Sequence, residues 1–142
     1  MYKKIIFLSV FALFFSLTGC QDILECIINR KPILSDNRLR TGFIHQDYYD
    51  QITSEIQNEA RDNSYYYHFS VIGDLPPGID AYFDYRDVII EGRPLERGRY
   101  RFTVTLNVEQ ANDYYEDCEN NLNDCDGLCE ESTARTYILT VN

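Results

Sequence analysis

The 142-residue chain is predicted to be an all-β protein, an antiparallel β-sandwich, on two observations. Apolar and polar residues alternate with the period of a half-buried strand, most clearly where Tyr100, Phe102, Val104, Leu106 and Val108 interleave with Arg99, Arg101, Thr103, Thr105, Asn107 and Glu109. Between such segments stand tight-turn residues, Pro77 with Gly78, Gly92 with Pro94, and then Gly98. Short strands punctuated in this way build sandwiches.

The chain opens with a different kind of segment. Lys3 and Lys4 precede an apolar stretch over residues 5–15, and small residues follow, the three parts of an export signal. The stretch is too short to span a membrane comfortably. It ends in Leu17-Thr18-Gly19-Cys20, the acceptor sequence of a bacterial lipoprotein, so residues 1–19 are expected to be removed and Cys20 to carry lipid. Each buried acyl methylene contributes about 0.8 kcal/mol, so two or three chains on one cysteine anchor a protein that a single chain would not hold.

Residues 20–40 are expected to be a lipidated N-terminus and tether. No period is sustained there, and Lys31-Pro32 and Ser35-Asp36-Asn37 are breakers. Leu24, Ile27 and Ile28 form a small apolar patch around Cys26.

The sandwich itself is assigned to residues 41–142. Residues 48–56 read as a strand, although Ile52 and Ile56 would also share a helix face. In the next strand Tyr65, Tyr67, Phe69 and Val71 point one way, and Tyr66, His68 and Ser70 the other. The run Val88-Ile89-Ile90 is β-branched, residues 99–109 give the strongest strand, and Tyr137, Leu139 and Val141 close the sheet. Pro77 presets the first central φ of a type II turn and Gly78 supplies the positive φ that must follow.

Loss of residues 1–19 removes two of the 13 basic residues and none of the 23 acidic ones, taking the net charge from −10 to −12. That balance argues against nucleic acid and against electrostatic binding to an anionic membrane. Of the five cysteines, Cys20 is assigned to lipid, which leaves Cys26, Cys118, Cys125 and Cys129 as an even set. Outside the cytoplasm these are expected to form two disulfides, in a pairing that spacing does not decide. Zinc is the poorer reading, because no histidine lies near residues 118–129 and no CxxC pair occurs.

Three motifs, Leu75-Pro76-Pro77-Gly78-Ile79, Ile90-Glu91-Gly92-Arg93-Pro94 and Gly98-Arg99-Tyr100-Arg101-Phe102-Thr103-Val104-Thr105, together resemble the immunoglobulin-like domains of bacterial surface proteins, related to cadherin and dystroglycan modules. The resemblance covers residues 65–108 well and residues 137–141 plausibly, and residues 41–56 loosely. It implies an immunoglobulin-like sandwich used for adhesion, for protein or carbohydrate contact, or for spacing, with no catalytic residues. Two features depart from it: the module is single, and an acidic, cysteine-containing insertion occupies residues 109–134.

That insertion holds Asp113, Glu116, Asp117, Glu119, Asp124, Asp126, Glu130 and Glu131. Such oxygens suit calcium, but with Gly127 at the sixth position of an EF-hand loop, Leu122 and Thr133 fall where carboxylates are required. A solvated acidic loop stapled by disulfides is the simpler reading. Twelve tyrosines with no tryptophan fit core packing and also rigid contact surface, and Tyr66 and His68 are the candidate binding patch because they oppose the buried face. His45 and His68 are the sole histidines, and no GxSxG or HExxH run occurs, so no enzyme is expected.

The expected function is that of a membrane-anchored envelope lipoprotein whose immunoglobulin-like domain is a non-catalytic binding or adhesion module. Its partner would be a protein or a glycan, with no cofactor and no resident metal. Two alternatives stand: a periplasm-facing structural or assembly component, and a calcium-dependent module using the acidic loop. Gln21 stands where an aspartate would favour inner-membrane retention, which tilts the expected location toward an outer membrane, surface-exposed or periplasm-facing.

Overall fold

The structure is a computed structural model, and it describes residues 28–111 and 128–142. Seven strands follow one another: β1 (Lys31–Leu34), β2 (Tyr48–Gln57), β3 (Tyr65–Gly73), β4 (Ile79–Asp84), β5 (Asp87–Gly92), β6 (Gly98–Gln110) and β7 (Ser132–Val141). They form two sheets, in the orders β1-β2-β5-β4 and β3-β6-β7, with every neighbouring pair antiparallel. The all-β architecture of two packed antiparallel sheets is thus present.

The alternation in β6 does what its period dictates. Phe102, Val104, Leu106 and Val108 turn inward and are buried, as are Tyr137, Leu139 and Val141 of β7. Ile52 and Ile56 of β2, Val88 and Ile90 of β5, and Ile79 of β4 meet them from the other sheet. Each fully buried aliphatic side chain contributes about 1.5–3 kcal/mol. The ambiguous spacing of Ile52 and Ile56 resolves as a strand because Ser54, between them on the same face, also turns inward. Its amide and hydroxyl both donate to the Arg86 carbonyl, at 3.0 and 2.7 Å.

The residues assigned to a tether need correction. β1 lies inside the 20–40 stretch, so the sandwich begins at Lys31 and not at residue 41. The strand is only four residues long, holds the Lys31-Pro32 breaker within it and is followed by Ser35-Asp36-Asn37, and Pro32 pairs opposite Ile56. Proline is tolerated there because β1 is the outer strand of its sheet, where an amide hydrogen can be spared. After Leu34 the chain crosses to the other sheet, where Gly42 makes a parallel bridge to Val141.

A second correction concerns β3. Tyr65 is buried, but Tyr67, Phe69 and Val71 are only partly covered, because β3 edges its sheet and no further strand lies over them. The acidic connection is also shorter than 109–134, since β6 runs to Gln110 and β7 starts at Ser132.

The two ends of the sandwich differ. Ile28 and the start of β1 lie next to the β2–β3 connection, the β4–β5 hairpin and the end of β6, as the pairings Lys31 with Gln57 and Tyr65 with Gln110 require. At the far end, the Ile79 amide donates to the Pro76 carbonyl at 3.0 Å and Gly78 has φ +85°, the expected type II turn. That turn locks onto the next one: Arg93 N–H donates to the Gly78 carbonyl and Leu95 N–H to the Pro77 carbonyl, each at 2.8 Å. A Cβ on Gly78 would stand 2.3 Å from the Arg93 carbonyl oxygen, so glycine is required there by both φ and space.

Candidate functional site

The proposed binding patch sits on the outer face of the three-stranded sheet. Strand alternation turns Tyr66 and His68 outward together, and Tyr66 is 55% exposed. Tyr66 pairs opposite Glu109 and His68 opposite Asn107, which puts Glu109 diagonal to the imidazole, with His68 Nε2 3.7 Å from Glu109 Oε2. Beyond them Ser70 pairs opposite Thr105 and Ile72 opposite Thr103, and the Thr103 and Thr136 hydroxyls are 2.9 Å apart. The result is a sheet surface of one ring, one imidazole, one carboxylate, a ladder of hydroxyls and the exposed Ile72. Its chemistry is hydrogen bonding and ring contact.

A neighbouring surface was not singled out by the sequence. β3 and β4 are the outer strands of their sheets on one side of the sandwich, and their rings meet across the opening. Phe69 and Phe83 stack at 5.8 Å, and Tyr67 and Tyr85 meet at 5.8 Å with planes 54° apart. Arg86 closes the opening: its guanidinium lies 5.2 Å from the centre of the Tyr67 ring and 5.3 Å from that of Tyr85. It donates two hydrogen bonds of 2.6 Å to the Asp62 carboxylate. Burial works against the charge of Arg86, but the Asp62 hydrogen bond and nearby Tyr67 hold its pKa above the ordinary value. Burial likewise pushes the Tyr67 phenol up, against the pull of Arg86. Tyr85 adopts φ +49°, unusual for a bulky side chain, at the tip of this hairpin. The run Tyr82-Phe83-Asp84-Tyr85-Arg86 was the available signal, but its partners Asp62 and Tyr67 are remote in the chain.

The remaining site residues are placed unevenly. Cys20, Cys26, Cys118 and Cys125 lie outside the described residues, as do Asp113, Glu116, Asp117, Glu119, Asp124 and Asp126. Cys129 is disulfide-bonded, and its amide donates to the Arg30 carbonyl at 2.8 Å. Leu128 packs against the core. The same point of the chain is held twice more, by Asn58 Nδ2 donating to the Ile28 carbonyl at 2.6 Å and by Arg30 Nη1 3.5 Å from Glu59 Oε2. The Glu59 side chain is 2% exposed and that of Arg30 20%. His45 stands at the far end, where its amide donates to the Pro94 carbonyl at 2.9 Å. Among the described residues no group of three or more His, Cys, Asp or Glu could hold a metal, and no helix is long and apolar enough to cross a membrane.

No family model and no curated protein matches the chain. Among solved structures it is similar to an endo-fucoidan hydrolase from glycoside hydrolase family 107, with 14% identity and a TM-score of 0.47 over 80% of this chain. The chain spans 14% of the length of that enzyme.

Proposed function

We propose that the protein is a lipid-anchored component of the bacterial cell envelope whose single immunoglobulin-like sandwich is a non-catalytic binding module. The observation that carries the fold part of this reading is the strand order. A sheet of β1-β2-β5-β4 facing one of β3-β6-β7 is the order of a constant-type immunoglobulin domain, in which strands one, two, five and four face three, six and seven. The motifs behind the family resemblance support it from another side, since two of them are the interlocked turns at the far end. The acceptor sequence around Cys20 supports the anchor.

Anchoring at Cys20 would also orient the domain. Arg30, which is tied to Glu59 and Cys129, lies only ten positions after Cys20. An extended chain of that length spans at most about 35 Å. The end with the acidic connection would then face the membrane, while the sheet face bearing Tyr66 and His68 stands to the side, open to a protein or glycan partner. Two disulfides among Cys26, Cys118, Cys125 and Cys129 would tie the acidic connection to the anchor side.

The test is chemical cross-linking in intact cells, solubilisation, and mass spectrometry of what accompanies the full-length protein. A partner captured by the wild type and lost in the Tyr66→Ala, His68→Ala double variant is the expected result. Capture of the same partner by the variant would remove the patch from the account.

A further inference from the structure

We infer that the uncovered edge of β7 is a second binding site, one that takes an extended acidic segment of a partner protein as an added β-strand. After β1 the chain swings away from β7 and rejoins it only at Gly42, so a groove of about 850 Å³ opens between residues 36–39 and β7. Arg38, Arg99 and Arg135 line it, with Asp36 as the one carboxylate.

The backbone facing the groove is available. The Gly42 amide donates to the Thr140 carbonyl at 2.9 Å and the Asn142 amide to the Gly42 carbonyl at 3.0 Å, so even-numbered residues of β7 direct their polar groups away from β6. By strand alternation Thr136 and Ile138 do the same. Among the described residues no backbone hydrogen bond reaches the Thr136 or Ile138 groups on that side. This is the condition for strand addition, in which main-chain hydrogen bonds give affinity and alternate side chains give selectivity.

Charge selects the occupant. In a chain of net charge −10 this groove is locally basic. Other arginines nearby have partners, Arg93 with Asp47 at 2.8 Å and Arg40 with Asp50 at 3.7 Å. Arg38 and Arg99 are exposed and have no ion pair or hydrogen bond among the described residues, and Arg135 reaches Asp36 only at 4.0 Å. Carboxylates on an added strand would meet these guanidinium groups. A glycan fits less well, because the groove offers no exposed ring: its one aromatic residue, Tyr137, is 5% exposed and donates its hydroxyl to the Ser35 carbonyl at 2.6 Å.

The test uses the full-length protein and a fluorescein-labelled octapeptide alternating Glu and Val, read by anisotropy. Saturable binding is expected, weakened about tenfold by Arg38→Glu with Arg99→Glu, whose exposed positions leave the melting temperature unchanged. N-methylation of alternate peptide amides should abolish binding, and the matching Lys-Val peptide should not bind. Absence of saturable binding would overturn the proposal, as would affinity unchanged by the double variant. Binding that survives both N-methylation registers would overturn strand addition, and so would a sulfated oligosaccharide that binds more tightly than the peptide.

Discussion

The two ends of the sandwich are held by different chemistry. At the far end, backbone meets backbone: two turns exchange main-chain hydrogen bonds, and glycines at positions 78 and 92 let them approach. At the end beside Ile28, side chains add to backbone bonds such as that from the Cys129 amide to the Arg30 carbonyl, through Asp62 with Arg86, Glu59 with Arg30, and Asn58 with the Ile28 carbonyl. Backbone contacts of this kind tolerate many side chains but no Cβ at the glycines. Side-chain pairs tolerate backbone change but not loss of either partner.

Substitutions can break or sharpen that contrast. The largest effect is expected for Gly78→Ala, which forces a Cβ to 2.3 Å from the Arg93 carbonyl oxygen at a positive φ. A loss of about 3 kcal/mol in urea unfolding is expected. Glu59→Ala removes the carboxylate beside the largely buried Arg30 guanidinium and should cost about 2 kcal/mol, discounted because Arg30 keeps one-fifth of its exposure. Were Glu59→Ala the more damaging of the two, the contrast between the ends would be reversed. Arg86→Lys keeps the charge but loses the two-point contact with Asp62 and the packing on Tyr67 and Tyr85, and about 1–2 kcal/mol should follow. Combining Gly78→Ala with Arg86→Lys should give the sum of the two losses to within about 0.5 kcal/mol, since the sites share no partner.

The smallest effect is expected at Tyr137, and it depends on pH. Burial, opposed by Arg135 and the Ser35 side chain, pushes its phenol up to about 12. An unfolded tyrosine titrates near 10, so below about pH 10 the phenol is neutral in both states and its contribution is complete. Above that the unfolded chain releases the proton first, and stability is lost as pH rises through the folded value. Tyr137→Phe should therefore cost about 1 kcal/mol at pH 7 through the lost hydrogen bond, and should flatten part of the fall in melting temperature between about pH 10 and pH 12. A fall of unchanged steepness would assign the alkaline loss to Tyr48 and Tyr67, which are raised in the same direction.

The same contrast explains what was legible beforehand. The β6 alternation and the Pro77-Gly78 turn are local patterns, carried by residues adjacent in the chain, and they lie where they were read. β1 was taken for tether because four residues around a proline carry too little period to register. Tyr67 and Phe69 share the parity of buried Tyr65, yet only the strand order reveals that β3 is an edge and leaves them half covered. Tyr66 and His68 were placed by parity alone, which holds for an edge strand as for a central one. Asp62 with Arg86, 24 positions apart, and the groove beside β7 arise from chain crossings that no local pattern encodes.

The central proposal, a sandwich hung from lipid on Cys20 by its acidic end, is tested most directly by growing cells on alkyne-labelled palmitate and comparing wild type with Cys20→Ser. The account predicts a labelled wild-type protein in the membrane pellet and an unlabelled variant in the soluble fraction. An unlabelled wild type, or a Cys20→Ser protein that still pellets, would contradict it.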